Sequence, residues 1–213
     1  MLLLWVALIG CRTRVYPTTD TGGMDTGAPG APVCVGFAAP DSGADSALPA
    51  RLSQTGCLDP DDPTQMMSGA VPYEINAPFW SDGAEKSRHV VLPPGAQISV
   101  YIDGDLEFPV GTTLIKDFHL AGQRVETRLL VRHEAGDWAG YAYVWDDDGQ
   151  DATLAMEGAE REVDGQRWEV PSSQDCLTCH TDAAGWTLGP EVGQLNREVD
   201  GVNQLSAWAD RGW

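Results

Sequence analysis

RVETRLLVRH, residues 124–133, and WAGYAYVW, residues 138–145, form the strongest pair of β-strands that the sequence predicts. Both runs are rich in β-branched and aromatic residues, and the short turn at Ala135-Gly136-Asp137 favours an antiparallel hairpin. Side chains alternate along a strand. The second run therefore has two faces: Trp138, Gly140, Ala142 and Val144 on one, and Ala139, Tyr141, Tyr143 and Trp145 on the other. The aromatic row is more typical of a packed core than of a ligand pocket.

Five further runs have the same β-rich character and alternate with Gly, Pro and Asp turn signals at a spacing of about 8 to 12 residues. They are residues 87–92, 97–102, 113–120, 152–156 and 167–170. This spacing predicts a mainly β fold, an antiparallel β-sandwich or jelly-roll-like domain over residues 71–170. A short helical segment over residues 171–213 follows, in which Ser172 or Ser173 caps the first helix and residues 191–197 and 203–211 form two more.

The most informative motif is Cys176-Leu177-Thr178-Cys179-His180, just after the last predicted strand. Two cysteines separated by two residues and followed at once by histidine have the spacing of covalent haem c attachment. Each cysteine sulfur would form a thioether to one haem vinyl group, and His180 would be the proximal iron ligand. The alternatives are a small disulfide or half a zinc site, but no second CxxC or histidine pair with zinc spacing is present. We therefore expect one covalent haem c.

The N-terminal sequence indicates export. Residues 1–10 form an apolar run too short to span a bilayer, and with Cys11 they resemble a lipoprotein signal peptide that lacks a basic start. We expect residues 1–11 to be the signal peptide and lipidation site, residues 12–32 a flexible Thr-, Asp-, Gly- and Pro-rich linker, and residues 33–70 an irregular lead-in. Cys34 and Cys57 would then be left to form a disulfide in an oxidising compartment. Arg12, not aspartate, follows Cys11, so the periplasmic face of the outer membrane is the default location.

The charge of the chain limits its partners. There are 32 acidic and 13 basic residues, for a net charge of −19. This balance argues against nucleic acid and anionic membrane surfaces, so we expect membrane contact through the lipid anchor alone. Solubility alone accounts for much of such a charge. It also suits an exported protein that docks a redox partner, such as a dehydrogenase or a second cytochrome.

The sequence does not decide which residue, if any, binds the iron on the side opposite His180. No Met or His follows His180, so a protein ligand would come from upstream or from another chain. His133 and His119 lie on predicted strands, and Met156 ends the strand-like run before the motif. Less favoured candidates are His89, Met66 and Met67. Histidine would give a low potential, methionine a higher one, and an open position would permit small-molecule chemistry.

An ordered series of motifs resembles a poorly characterised family of exported bacterial haem c proteins. The motifs are residues 71–84 (VPYEINAPFWSDGA), 108–112 (FPVGT), 126–132 (ETRLLVR), 140–145 (GYAYVW), 151–152 (DA) and 194–197 (QLNR). Family members are described as dihaem c-type cytochromes, some fused to sugar-dehydrogenase-like propellers, and the resemblance spans about residues 48–210. It implies haem on Cys176 and Cys179 with His180 as proximal ligand, and no established substrate. Relatives continue into a second CxxCH domain, whereas this sequence ends at Trp213, which indicates a one-haem member or a truncated or split gene.

Three functions remain as hypotheses from the sequence. The leading one is a c-type cytochrome that transfers single electrons in the cell envelope and is not itself an enzyme. The alternative is an extracytoplasmic β-sandwich module that binds carbohydrate or protein, with the CxxC as a disulfide. The third is a haem enzyme with an open iron site.

Overall fold

The structure is a computed structural model that describes Cys34, residues 49–133 and residues 137–213. The predicted signal peptide with Cys11, the linker over residues 12–32 and the turn residues 135 and 136 lie outside the described residues. The described part is mainly β, with antiparallel sheets and a few short helices, which confirms the predicted β-rich class.

Twelve strands are present in the described residues. In chain order they are β1 Val71–Pro72, β2 Glu85–Val91, β3 Ser99–Val100, β4 Leu106–Glu107, β5 Thr113–Leu120, β6 Gln123–Arg132, β7 Trp138–Trp145, β8 Ala152–Leu154, β9 Ala159–Val163, β10 Gln166–Val170, β11 Glu198–Val199 and β12 Val202–Asn203. Six of them form one antiparallel sheet in the order β1-β2-β5-β6-β7-β8, and the others pair as β3 with β4, β9 with β10 and β11 with β12.

The centre of the large sheet is a meander of β5, β6 and β7. Ala121 and Gly122 connect β5 to β6 with φ of 48° and 76°, the left-handed pair that a two-residue hairpin turn requires. In the next hairpin Leu130 of β6 is opposite Gly140 of β7. β5 and β7 have the predicted bounds, and β6 starts and ends one residue earlier than predicted.

One face of the sheet packs on the lead-in segment. Tyr141, Tyr143 and Trp145 are all buried there, so the aromatic row belongs to the core. Cys34 and Cys57 form a disulfide within the same apolar cluster. A 3-10 helix at Leu52–Thr55 adds Leu52 to it.

The opposite face carries two separate apolar clusters. The first contains Leu114, Leu130 and Trp138, and the second contains Phe118 and Ala142. Along β5, β6 and β7 the residues between the two clusters are Lys116, Arg128 and Gly140. The sheet face is therefore apolar at both ends and has a charged band across its middle.

The C-terminal residues fold into short helices beside this second face: α1 Ser173–Cys179, a 3-10 turn at Asp182–Ala184, α2 Val192–Leu195 and α3 Gln204–Asp210. Helix α1 packs against β7, and Leu195 and Trp208 enter the first apolar cluster. Asn203 caps α3 by accepting a hydrogen bond from the backbone N–H of Ser206. Among the described residues, no helix is long and apolar enough to cross a membrane.

Candidate functional site

A cavity of about 200 Å³ brings the CxxCH motif against the sheet. Its motif residues are Cys176, Cys179 and His180. Its apolar lining includes Tyr73, Phe79, Leu114, Leu130 and Leu188, and its charged lining is Lys116, Arg128 and Asp175. The site therefore combines thiols, an imidazole, an apolar wall and two cations.

The position of α1 fixes the two cysteines. A capping box starts the helix: Ser172 Oγ accepts a hydrogen bond from the backbone N–H of Asp175, and the Asp175 carboxylate accepts one from the backbone N–H of Ser172. Residues three apart lie on the same side of a helix, so Cys176 and Cys179 are neighbours on α1. Both are free thiols; Cys176 is half-buried and Cys179 is exposed. Burial raises the pKa of the Cys176 thiol, which keeps it protonated.

Gly140 permits the close approach of α1 to β7. A Cβ at this position would lie 2.5 Å from Cys176 Cβ and 2.7 Å from Cys176 Sγ, and no real Cβ tolerates such contacts. The absence of a side chain at residue 140 is thus what allows Cys176 to reach the sheet face.

His180 ends α1 and has a defined tautomer. Its Nδ1 is 2.6 Å from the backbone oxygen of Trp186. A carbonyl oxygen only accepts hydrogen bonds, so Nδ1 carries the proton and the lone pair of Nε2 is free. Burial lowers the pKa of His180, and the charges of Lys116 and Arg128 lower it further, so the imidazole is neutral near pH 7. A neutral imidazole whose other nitrogen donates to a backbone carbonyl is the usual form of a metal-binding histidine.

These residues fit haem c. The donor set is right for covalent attachment and for iron, and Gly140 leaves room for the attaching helix. The cavity is smaller than the roughly 300–1,000 Å³ of typical ligand sites, so it would enclose part of a porphyrin-sized group. A second cleft of about 790 Å³ shares Tyr73 and Phe79 with it and extends the site.

The structure does not bring the three main distal candidates to this cavity. His133 Nε2 is 2.8 Å from the hydroxyl of Tyr141, which belongs to the core on the opposite face. His119, which follows a bulge in β5, borders a different cleft. Met156 is exposed, with its Sδ 3.4 Å from Ser173 Oγ. Of the less favoured candidates, Met66 and Met67 line neither this cavity nor the adjoining cleft, whereas His89 lines the adjoining cleft only.

Lys116, Arg128 and Gly140 are site residues that the sequence analysis did not predict. A signal for Lys116 was present, because it lies between Leu114 and Phe118 on the alternation of an otherwise apolar strand face. Arg128 and Gly140 required the strand register, which pairs Arg128 with Lys116 and sets Gly140 opposite Leu130.

Comparisons of the chain with protein-family models, with curated proteins and with solved structures found no match in any of the three. Within the described residues, no group of three or more His, Cys, Asp and Glu side chains is arranged to hold a metal ion. The function is therefore argued from the geometry of the site.

Proposed function

We propose that this chain is a c-type cytochrome that carries one haem c on Cys176 and Cys179, with His180 as the proximal iron ligand. One observation carries the proposal. The three motif residues line a single cavity, and there the Trp186 carbonyl holds Nδ1 of His180 and leaves Nε2 free.

The chain's own residues prepare the attachment. Each thiol would add across a vinyl group of the haem: the S–H bond and the C=C π bond would break, a C–S and a C–H bond would form, and no atom would be lost. The capping box at Ser172 and the bare backbone of Gly140 hold Cys176 at the sheet face. Bound haem supplies a one-electron Fe(III)/Fe(II) couple. The apolar wall, which includes Leu114 and Leu130, excludes water, and the polarity around such a group sets its potential.

The proposal also covers the domain arrangement of the chain, its location in the cell envelope and its redox partner. A sandwich- or jelly-roll-like domain over residues 71–170 would cover a haem-binding helical segment over residues 171–213. Lipid on Cys11 would hold the protein at the periplasmic face of the outer membrane, where a dehydrogenase or a second cytochrome exchanges electrons with it. The division of the cysteines supports this: Cys34 and Cys57 are paired, and the two motif cysteines are free.

The test is a pyridine haemochrome spectrum of protein co-expressed with a haem c maturation system, together with haem staining on a denaturing gel. We expect covalent haem in the wild type and none in the C176A/C179A variant. The matched control is C34S/C57S, which removes two cysteines outside the site and should keep its haem. Colourless, well-folded wild type would refute the proposal and leave the binding module, with its CxxC as a disulfide.

Carbon monoxide then separates two haem functions. If the ferrous spectrum is unchanged under carbon monoxide, a sixth ligand is in place and the protein is an electron carrier. If the spectrum shifts, the sixth position is open to small molecules, and the haem-enzyme hypothesis gains the stronger support.

A further inference from the structure

Three basic residues form a row across the middle of the sheet. Arg88 on β2 is the register partner of Lys116 on β5, and Lys116 is the register partner of Arg128 on β6. Direct partners in an antiparallel ladder have Cβ atoms about 4.5–5.5 Å apart, on the same face of the sheet. The next strand, β7, brings Gly140 to this same face, diagonal to Arg128.

The row contains three positive charges, and only one of them is paired with a carboxylate. Arg128 is ion-paired with the buried carboxylate of Glu126, which also accepts a hydrogen bond of 3.0 Å from Trp168 Nε1. Within the described residues, no carboxylate makes an ion pair with Arg88 or with Lys116. Lys116 lies over the Phe118 ring, 5.1 Å from its centroid, but neither it nor Arg88 has a carboxylate partner, so two positive charges in this band have no counter-charge of their own.

The other carboxylates near the row are already used. Glu74, whose charge acts on Arg88, is ion-paired with Arg197 at 2.7 Å. Asp175, which lines the cavity, is bonded to Ser172 in the capping box.

This arrangement is unfavourable without a ligand. Like charges directly opposite each other on a sheet are destabilising. Burial, with the neighbouring charges of Arg88 and Arg128, lowers the pKa of Lys116 to about 8. The band thus lacks a compensating anion.

The composition makes the row unusual for this chain. The protein has 13 basic residues against 32 acidic ones, and only two of the basic residues are lysines, Lys86 and Lys116. Lys86 is two residues from Arg88 on β2 and lies on the same face. Both lysines therefore lie on the sheet face that carries the row.

We propose that Arg88, Lys116 and Arg128 bind the two propionate carboxylates of the haem. The inference rests on the proposed function, because the ligand it names is the haem of that site. Lys116 and Arg128 line the same cavity as the CxxCH residues, and Arg88 lines the adjoining cleft. Haem carries two propionates, which match the two positive charges in the row that lack a carboxylate partner.

The first test uses the haem-loaded protein. K116Q and R128Q are compared with R167Q, which removes one charge from an exposed arginine on β10. Pyridine haemochrome first verifies that each variant carries covalent haem. Reduced haem has one more negative charge than oxidised haem, so loss of a neighbouring cation should lower the reduction potential. We expect a lower potential in K116Q and R128Q and an unchanged potential in R167Q.

The second test identifies the propionates as the partner. In the full-length C176A/C179A chain, affinity for free haem is compared with affinity for its dimethyl ester, by absorbance titration. A charge-assisted hydrogen bond contributes enough for about a tenfold or larger preference for haem over the ester. This preference should shrink when K116Q is added and persist when R167Q is added.

The outcomes separate this inference from the function on which it rests. Wild type without covalent haem contradicts the proposed function. The propionate row would be overturned if the haem-loaded K116Q, R128Q and R167Q variants had the same reduction potential, or if the ester bound as tightly as haem. Either result would leave the proposed cytochrome function intact. A preference for haem over the ester that is the same with and without Lys116 would likewise overturn the contact between the row and the propionates.

Discussion

The substitution G140A tests the packing on which the whole site depends. Gly140 lies in a strand, where alanine is sterically allowed, so the backbone does not resist the change. Glycine in a strand costs roughly 0.5–1 kcal/mol relative to alanine, and on this ground alone G140A should stabilise the protein.

The contact with α1 reverses that sign. The new Cβ would lie 2.5 Å from Cys176 Cβ and 2.7 Å from Cys176 Sγ, whereas ordinary contacts begin at 3.4 Å. Helix α1 must therefore move by nearly 1 Å or the strand must bend. Overpacking of this kind costs about 1–3 kcal/mol, which exceeds the gain. We expect a net loss of about 1–2 kcal/mol in the free energy of unfolding.

The assay is urea unfolding at a constant m-value, with the haem content per protein measured in parallel. Haem content should fall, because the displaced α1 carries both cysteines that we propose as the attachment points. G193A is the matched control: a Cβ at Gly193 meets nothing within 4 Å, and its φ is not positive. G193A should keep full haem content and equal or exceed wild-type stability. Wild-type stability and haem content in G140A would refute the packing of α1 on β7.

Three more predictions follow from buried groups. Because burial lowers the pKa of Lys116 from 10.5 to about 8, the unfolded chain binds more protons between those values, and the stability of haem-free protein should rise with pH across that window. K116M should abolish the rise and gain about 1–3 kcal/mol at pH 7, read from urea unfolding at a series of pH values. E126A leaves the half-buried Arg128 unpaired and should cost about 3 kcal/mol, seen as a lower melting temperature, with little change expected for E160A, which is exposed. C34S/C57S should cost about 3 kcal/mol, and reductant should destabilise wild type but not the variant.

The strands of the meander could be predicted because their signals are local. Apolar alternation and turn residues are enough to define β5 and β7. β9 was not predicted because its sequence, AEREV, has three charges in five residues and no apolar alternation. The strand itself pairs only with β10. β1, β4, β11 and β12 are two residues long and leave no periodicity.

The site divides in the same way. The CxxCH motif could be recognised from the sequence because spacing along the chain defines it, and the cap of α1 at Ser172 could be predicted from local sequence in the same way. The contribution of Gly140 and the row through Lys116 depend on the register between strands, which sequence spacing does not contain. The distal candidates were chosen by residue type and strand membership, and neither of these specifies the sheet face on which His133 or His119 lies.

The sign of one mutational effect distinguishes a cytochrome whose haem propionates bind the row from a binding module without haem. In a disulfide-stapled binding module, the half-buried charge of Lys116 beside Arg88 and Arg128 is a permanent cost, so K116M should stabilise the protein. In a cytochrome whose row binds the haem propionates, these carboxylates neutralise the row, and removing Lys116 leaves one of them without its partner. K116M should then stabilise the haem-free protein and destabilise the haem-loaded protein, a reversal measurable by urea unfolding of the two forms side by side. The same sign in both forms would mean that the charged band has a purpose other than holding haem.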